Sequence, residues 1–75
     1  MNYVKYDYRK LFGRIMEKFG RQKAFAEAIG LDEAIVSRKL NNKRGMSQAD
    51  IERWRVALEI EPSEVYDYFF TQRVQ

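Results

Sequence analysis

The chain has 75 residues, a formal net charge of +3, and 45% hydrophobic and 33% charged residues, with no Cys and no His. Length and hydrophobic content suit one folded domain, and the missing Cys and His exclude disulfides and the usual zinc and haem sites. No apolar run approaches the roughly 20 residues that cross a bilayer. We therefore expect one cytoplasmic domain over residues 1–75, without cofactor, metal site or membrane segment, with its core at about 7–70 and tails at 1–6 and 71–75.

Charge is unevenly distributed along the chain. Lys and Arg outnumber Asp and Glu over residues 1–47, whereas acidic residues outnumber basic ones over residues 48–75. Because basic side chains near phosphates release counterions, this distribution suits an anionic partner that approaches one side of the protein. The mixed surface charge of an ordinary small domain explains the same pattern, so charge alone leaves both interpretations open.

Apolar residues recur at spacings of three and four and never alternate for long, which predicts an all-α fold. The first helix carries a continuous apolar stripe of Tyr8, Leu11, Phe12, Ile15, Met16 and Phe19, which we expect to face the core. Asp7 is the candidate cap at the start of this helix, and Gly20 is the candidate residue at its end.

Two short helices follow, the second over about Gln22–Ile29 and the third after Asp32. We expect Gly30 to end the second helix in a left-handed conformation and the Asp32 carboxylate to cap the third. Ala26 has to be small because the two helices cross closely near it. The core residues of this pair are predicted to be Phe25, Ala26, Ile29, Leu31, Val36 and Leu40.

Residues 41–46 have the composition of a loop. Ser47 with Asp50 three residues later resembles a capping box that opens a fourth helix. Pro62 fits the first turn of a fifth helix, where a missing N–H costs nothing. The core residues of these two helices and their connection are predicted to be Ile51, Trp54, Leu58, Ile60, Val65 and Phe69.

The most informative segment places two short helices across a three-residue turn, with A-F-A-E-A-I-G-L at 24–31 and I-V-S-R-K-L at 35–40. In these residues the sequence resembles the Cro and repressor family of phage and bacterial helix-turn-helix regulators. The helix start at Ser47 and L-E-I-E-P-S-E-V-Y at 58–66 extend the resemblance over most of the chain. It implies a five-helix, lambda repressor-like DNA-binding domain, and a Cro-like transcriptional regulator that occupies a palindromic double-stranded DNA operator as a homodimer.

The resemblance also implies which side chains contact DNA. The third helix is expected to lie in the major groove, with Glu33, Ala34, Ser37 and Arg38 at the base edges. Phosphate contacts are expected from Gln22, Asn41, Asn42, Lys43, Arg44 and Ser47. Arg38 is the strongest candidate for a base contact, because its guanidinium can donate to both O6 and N7 of guanine.

Structural roles compete with these functional ones. Glu33 departs from the family pattern, which often has a neutral amide there, and phosphates repel a carboxylate unless it accepts a hydrogen bond from cytosine N4. An acid at this position also stabilises the positive end of the helix dipole. The other candidates have similar alternatives. Arg38 is then a solvated surface residue, and Ala34 is simply a good helix former. Lys43 and Arg44 are then solvated charges of a loop.

Other functions fit parts of the sequence. A protein-interaction module, such as an antitoxin or antirepressor, keeps this fold and binds another regulatory protein through its fourth and fifth helices. Surplus aromatic residues near the chain ends, among them Tyr66 and Phe70, suit a self-association surface or a stacking platform for single-stranded nucleic acid. An enzyme is not expected, because the sequence lacks His and Cys, a Gly-rich phosphate loop and paired acids at a cleft-forming spacing.

Overall fold

The structure is a computed structural model that describes residues 5–73. Its five α-helices are α1 (Arg9–Phe19), α2 (Gln22–Ile29), α3 (Glu33–Leu40), α4 (Gln48–Ala57) and α5 (Val65–Phe69), with a 3-10 turn at Pro62–Glu64 before α5. No strand occurs in this part of the chain, so the predicted all-α, five-helix fold is confirmed. Over the same residues, no helix is long and apolar enough to span a membrane.

The predicted helix ends between α2 and α4 are confirmed by local geometry. Gly30 ends α2 with a φ of 74°, and the Asp32 carboxylate accepts a hydrogen bond from the N–H of Ala34 at 2.9 Å. Ser47 and Asp50 form the capping box, with Asp50 N–H donating to Ser47 Oγ at 3.0 Å and Ser47 N–H donating to Asp50 Oδ2 at 2.9 Å. Three residues therefore connect α2 to α3, the arrangement of a helix-turn-helix.

The core receives side chains from all five helices and their connections. Its buried hydrophobic residues are Tyr8, Leu11, Ile15, Phe25, Ala26, Ile29, Val36, Trp54, Leu58, Ile60 and Phe69. Phe25 and Trp54 are both 0% exposed and meet edge to face, with ring centroids 5.0 Å apart. Because α2 contacts α1, α3 and α4, it is the central element on which the helix-turn-helix rests.

One flank of the apolar stripe on α1 faces solvent, which corrects a sequence prediction. Phe12 is 44% exposed and Met16 is 37% exposed. The opposite flank carries Arg14, whose guanidinium donates to the carbonyl oxygens of Leu58 at 2.9 Å and Glu59 at 3.1 Å. Carbonyls at a helix C-terminus lack partners within the helix, so these bonds hold the Arg14 side of α1 against the end of α4. The Phe12 side is consequently turned outward.

The start of α1 also differs from the prediction. The N-cap position is Tyr8 rather than Asp7, and α1 begins at Arg9. The Asp7 carboxylate nevertheless accepts a hydrogen bond from the N–H of Arg9 at 3.0 Å and pairs with the Arg9 guanidinium at 2.7 Å. These side-chain and backbone hydrogen bonds from Arg9 lower the pKa of Asp7 to about 2. Asp7 thus stabilises the first turn of α1, although it lies one residue before the N-cap position.

The two segments predicted as tails are paired where the structure describes them. Tyr6 and Gln72 form an antiparallel β-bridge. Backbone hydrogen bonds of 2.7 and 2.9 Å flank this bridge, the second from the N–H of Arg73 to the carbonyl oxygen of Lys5. A single bridge has no alternating pattern that a sequence could reveal. Backbone pairing therefore joins the residues on either side of the predicted core at about 7–70.

Candidate functional site

The outward face of α3 carries most of the predicted base-contact residues. Glu33, Ala34 and Arg38 are exposed, whereas Ser37 is half-buried. Val36 anchors the opposite side of the helix with 0% exposure. Solvent therefore reaches three of the four side chains that the sequence placed at the base edges, and the fourth lies at the margin of this face.

Basic side chains flank the helix-turn-helix along the chain. Arg21 precedes α2, Lys23 lies in the first turn of α2, and Lys43 and Arg44 lie in the loop after α3. All four are exposed, as is Arg38. Within the described part of the chain none of the five forms an ion pair. Their charge is therefore available to an anionic partner.

The fold brings Gln22, at the start of α2, close to Asn41, at the end of α3. Both residues line an open groove of about 630 Å³, whose apolar wall includes Phe12 and Leu40. Gln22 is half-buried, and Asn41 is exposed with its side-chain amide donating to the carbonyl oxygen of Ser37 at 2.8 Å. A continuous surface thus links the start of α2 with the end of α3.

We group six of the candidate DNA-contact residues on and around α3 under one name. We call them the α3 surface, and they are Gln22, Glu33, Ala34, Arg38, Lys43 and Arg44.

Asn42 has a structural role that the sequence did not reveal. Its φ is 60°, a left-handed conformation that Asn tolerates better than most residues. Its side-chain Oδ1 accepts a hydrogen bond from the N–H of Tyr6 at 2.9 Å, and its Nδ2 donates to the carbonyl oxygen of Tyr6 at 2.8 Å. Because both polar atoms of the amide bond to Tyr6, Asn42 supports the loop, and its phosphate contact stays a prediction.

Lys39 is a second supporting residue that the sequence did not predict, and it is only 6% exposed. Its Nζ donates to the carbonyl oxygen of Gly45 at 3.0 Å and to Asp50 Oδ2 at 2.7 Å. The same oxygen of Asp50 accepts the N–H of Ser47. One buried amine therefore joins the end of α3, the loop after it and the start of α4.

The charge of Asp50 keeps this connection intact. Burial raises the pKa of Asp50, but hydrogen bonds from Lys39 and Ser47 outweigh that effect and bring the pKa below its ordinary value of 3.8. The carboxylate is therefore ionised at neutral pH. Ser47 remains exposed, with its N–H bonded to Asp50, so its predicted phosphate contact depends on the hydroxyl group and on the neighbouring free N–H groups of α4.

The fold and the α3 surface define a small all-helical protein with a helix-turn-helix and with exposed basic residues that have no ion-pair partner within residues 5–73. By sequence, the chain belongs to the DUF739 family, described as a protein of unknown function, whose model matches residues 4–72. The family shown is thus DUF739, and the resemblance to the Cro and repressor family rests on the residues quoted above.

A solved structure extends this comparison. The chain is similar to the modulator of repression (MOR) of the temperate bacteriophage TP901-1 from Lactococcus lactis, known from its solution structure. The two are 43% identical, with a TM-score of 0.79, over 93% of this chain and 95% of that chain. No curated protein matches the chain. The likeness therefore covers the whole fold, including the α3 surface.

Proposed function

We propose that this protein is a phage regulator that binds double-stranded DNA sequence-specifically through the α3 surface, as a homodimer on two half-sites roughly 34 Å apart. The observation that carries the proposal is the exposed face of α3 flanked by Arg38, Lys43 and Arg44, which have no ion-pair partner among the described residues. The relative that acts as a modulator of repression in a temperate phage supports a regulatory role.

Each residue contributes differently in this proposal. Arg38 reads a guanine through a two-pronged hydrogen bond, which discriminates between bases by roughly 1–3 kcal/mol. Ala34 leaves room for the duplex to approach and contacts a thymine methyl group. Lys43 and Arg44 bind phosphates, which supplies affinity and register without reading sequence. The connection through Lys39 and Asn42 holds the loop in place before DNA arrives, so less ordering is required on binding.

Selection from a random duplex library at moderate salt tests this proposal. We expect an enriched sequence, and we expect Arg38→Ala to relax the preference at one base pair. The double variant Lys43→Ala/Arg44→Ala should weaken binding to all sequences and lower the slope of log affinity against log salt by about 0.9 for each lost phosphate contact.

Arg53→Ala is the matched control for Arg38→Ala, because Arg53 is an exposed residue of α4 outside the α3 surface and each substitution removes one positive charge. This variant should retain the selected sequence and most of the affinity. If no sequence is enriched, or if Arg53→Ala weakens binding as much as the loop variant does, the α3 surface is not a specific DNA interface.

A second candidate function is binding to a repressor protein in place of DNA. The exposed carboxylate of Glu33 favours this candidate. Together with the N-cap residue Asp32 it places two acids at the start of α3, where a DNA-binding surface would face phosphates. The word modulator in the name of the relative is also compatible with action on a repressor. In this case Glu33 pairs with a basic or polar group of the repressor.

The substitution Glu33→Gln separates the two candidates. If the α3 surface faces DNA, loss of the negative charge should strengthen binding to random duplex DNA by about 1 kcal/mol, which is about fivefold, because a phosphate no longer meets a carboxylate. Fluorescence anisotropy with a labelled duplex measures this change. Unchanged or undetectable duplex binding, together with weaker binding to a repressor from the same genome, would instead support the protein-binding candidate.

A further inference from the structure

The loop that follows α3 also lines a second groove. Its volume is about 340 Å³, and we call it the loop groove. The residues that matter for its chemistry are Tyr6, Lys43, Arg44, Met46, Ile51 and Phe70. Its wall and floor are aromatic and aliphatic, its cations come from the loop, and no acidic residue of the described chain lines it. The groove thus combines an apolar site with unopposed positive charge.

The aromatic rings of the loop groove are already in contact with one another. The ring of Tyr6 meets the ring of Phe70 edge to face, with centroids 5.8 Å apart, and lies tilted against Tyr8 at 6.1 Å. Stacking of successive bases requires exposed ring faces. Tyr8 and Phe69 are buried, and Tyr6 and Phe70 are half-buried, so the rings are poorly placed as a platform for single-stranded nucleic acid. Side chains of a protein fit such a groove better, because they enter an apolar site individually.

We propose that the loop groove binds an acidic segment of another protein through one aromatic or aliphatic anchor side chain flanked by carboxylates. The anchor lies on Met46, Ile51 and Phe70, and the carboxylates pair with Lys43 and Arg44. Charge complementarity selects this occupant, since a neutral or basic segment leaves the two cations unpaired at the rim of an apolar site.

The loop groove shares two residues with the α3 surface. Its effect on DNA binding rests on the proposed function. Lys43 and Arg44 belong to both surfaces, and one side chain does not serve a phosphate and a carboxylate at once. An acidic segment in the loop groove therefore competes with DNA. Such a partner lowers the affinity for DNA without touching α3, which gives the protein a regulatory input separate from its reading face.

Selection from a displayed library of random dodecapeptides, with the full chain as bait, tests the groove by itself. We expect enriched peptides to carry several Asp or Glu residues around one aromatic or aliphatic residue. Lys43→Glu/Arg44→Glu should weaken the enriched peptide about tenfold or more, and replacement of the peptide's anchor by Ser should do the same. Circular dichroism establishes that the variant remains folded.

Two controls separate failure of the groove from failure of the proposed function. Arg38→Ala, which lies outside the loop groove, and Arg53→Glu should leave peptide affinity unchanged. Peptide binding is measured without DNA, so it stands even if no duplex is selected. The proposal is overturned if no acidic peptide is enriched, or if the charge-reversed loop binds the peptide equally well. Preference for single-stranded oligothymidine, or self-association abolished by the loop variant, overturns it as well.

Discussion

Replacing Lys39 with methionine is expected to destabilise the protein by about 2–3 kcal/mol, although methionine fills nearly the same volume. The substitution removes the amine that bonds to Gly45 at 3.0 Å and Asp50 at 2.7 Å. The half-buried carboxylate of Asp50 then loses its counterion, and the carbonyl of Gly45 loses its donor. The expected cost is below the 3–5 kcal/mol typical of a fully buried pair, because the Asp50 side chain keeps 19% exposure. Urea denaturation measures the change.

Lys18→Met is the matched control, since Lys18 forms an ion pair with Glu59 at 3.1 Å whose side chains are 31% and 72% exposed. An exposed pair contributes about 0–1 kcal/mol, so this variant should unfold close to the wild type. A double-mutant cycle with Lys39→Met and Asp50→Asn isolates the interaction itself. Equal losses for Lys39→Met and Lys18→Met would contradict the assignment of Lys39 as a buried support of the loop.

The contribution of the pair should depend on pH. The pKa of Asp50 lies below its ordinary value of 3.8 in the folded protein, so folding favours the ionised carboxylate. The stabilisation is therefore complete above that ordinary value and declines as pH falls through the lower pKa of the folded state. The difference in unfolding free energy between wild type and Lys39→Met should accordingly be constant near neutrality and shrink in acid.

Replacing Ala26 with leucine should cost about 1–3 kcal/mol through overpacking. Ala26 is 1% exposed and lies on α2, which contacts three other helices. A larger side chain there pushes α2 away from its neighbours and disturbs the turn, since the carbonyl oxygen of Ala26 also accepts the N–H of Leu31 at 2.9 Å. Thermal unfolding should show a fall of roughly 4–8 °C for each kcal/mol.

Ala28→Leu provides the control on the same helix, because Ala28 is exposed and the substitution adds the same atoms. Its effect should remain within about 0.5 kcal/mol. If Ala26→Leu and Ala28→Leu unfold at the same temperature, Ala26 does not lie at a close helix contact, and the packing of the helix-turn-helix has to be revised.

Most predictions that depend on neighbouring residues agree with the structure, although the N-cap of α1 is Tyr8 and not Asp7. Asp32 caps α3, Ser47 and Asp50 form the capping box, and Gly30 adopts the left-handed conformation that ends α2. These features involve atoms within a few positions of each other, so the residue types nearly dictate them. The exposed face of α3 follows in the same way from the burial of Val36.

The sequence missed contacts between distant residues. Phe12 and Met16 belong to an apolar stripe, yet Arg14 bonds to carbonyls 44 and 45 positions away and turns that flank of α1 outward. The supporting role of Asn42 was not predicted either, because its amide bonds to Tyr6, 36 positions away. No local pattern encodes such partners.

The sequence by itself determined the all-α class, the helix ends between α2 and α4 and the spacing of the helix-turn-helix, because helical periodicity and caps act within one or two turns of the chain. Only the tertiary structure decided which basic residues are free. Lys39 and Arg38 are adjacent in sequence, but Lys39 points inward to Asp50 while Arg38 faces solvent. Burying a charged amine costs free energy unless it forms an ion pair or hydrogen bonds. For Lys39 that partner is Asp50, which belongs to another helix, α4.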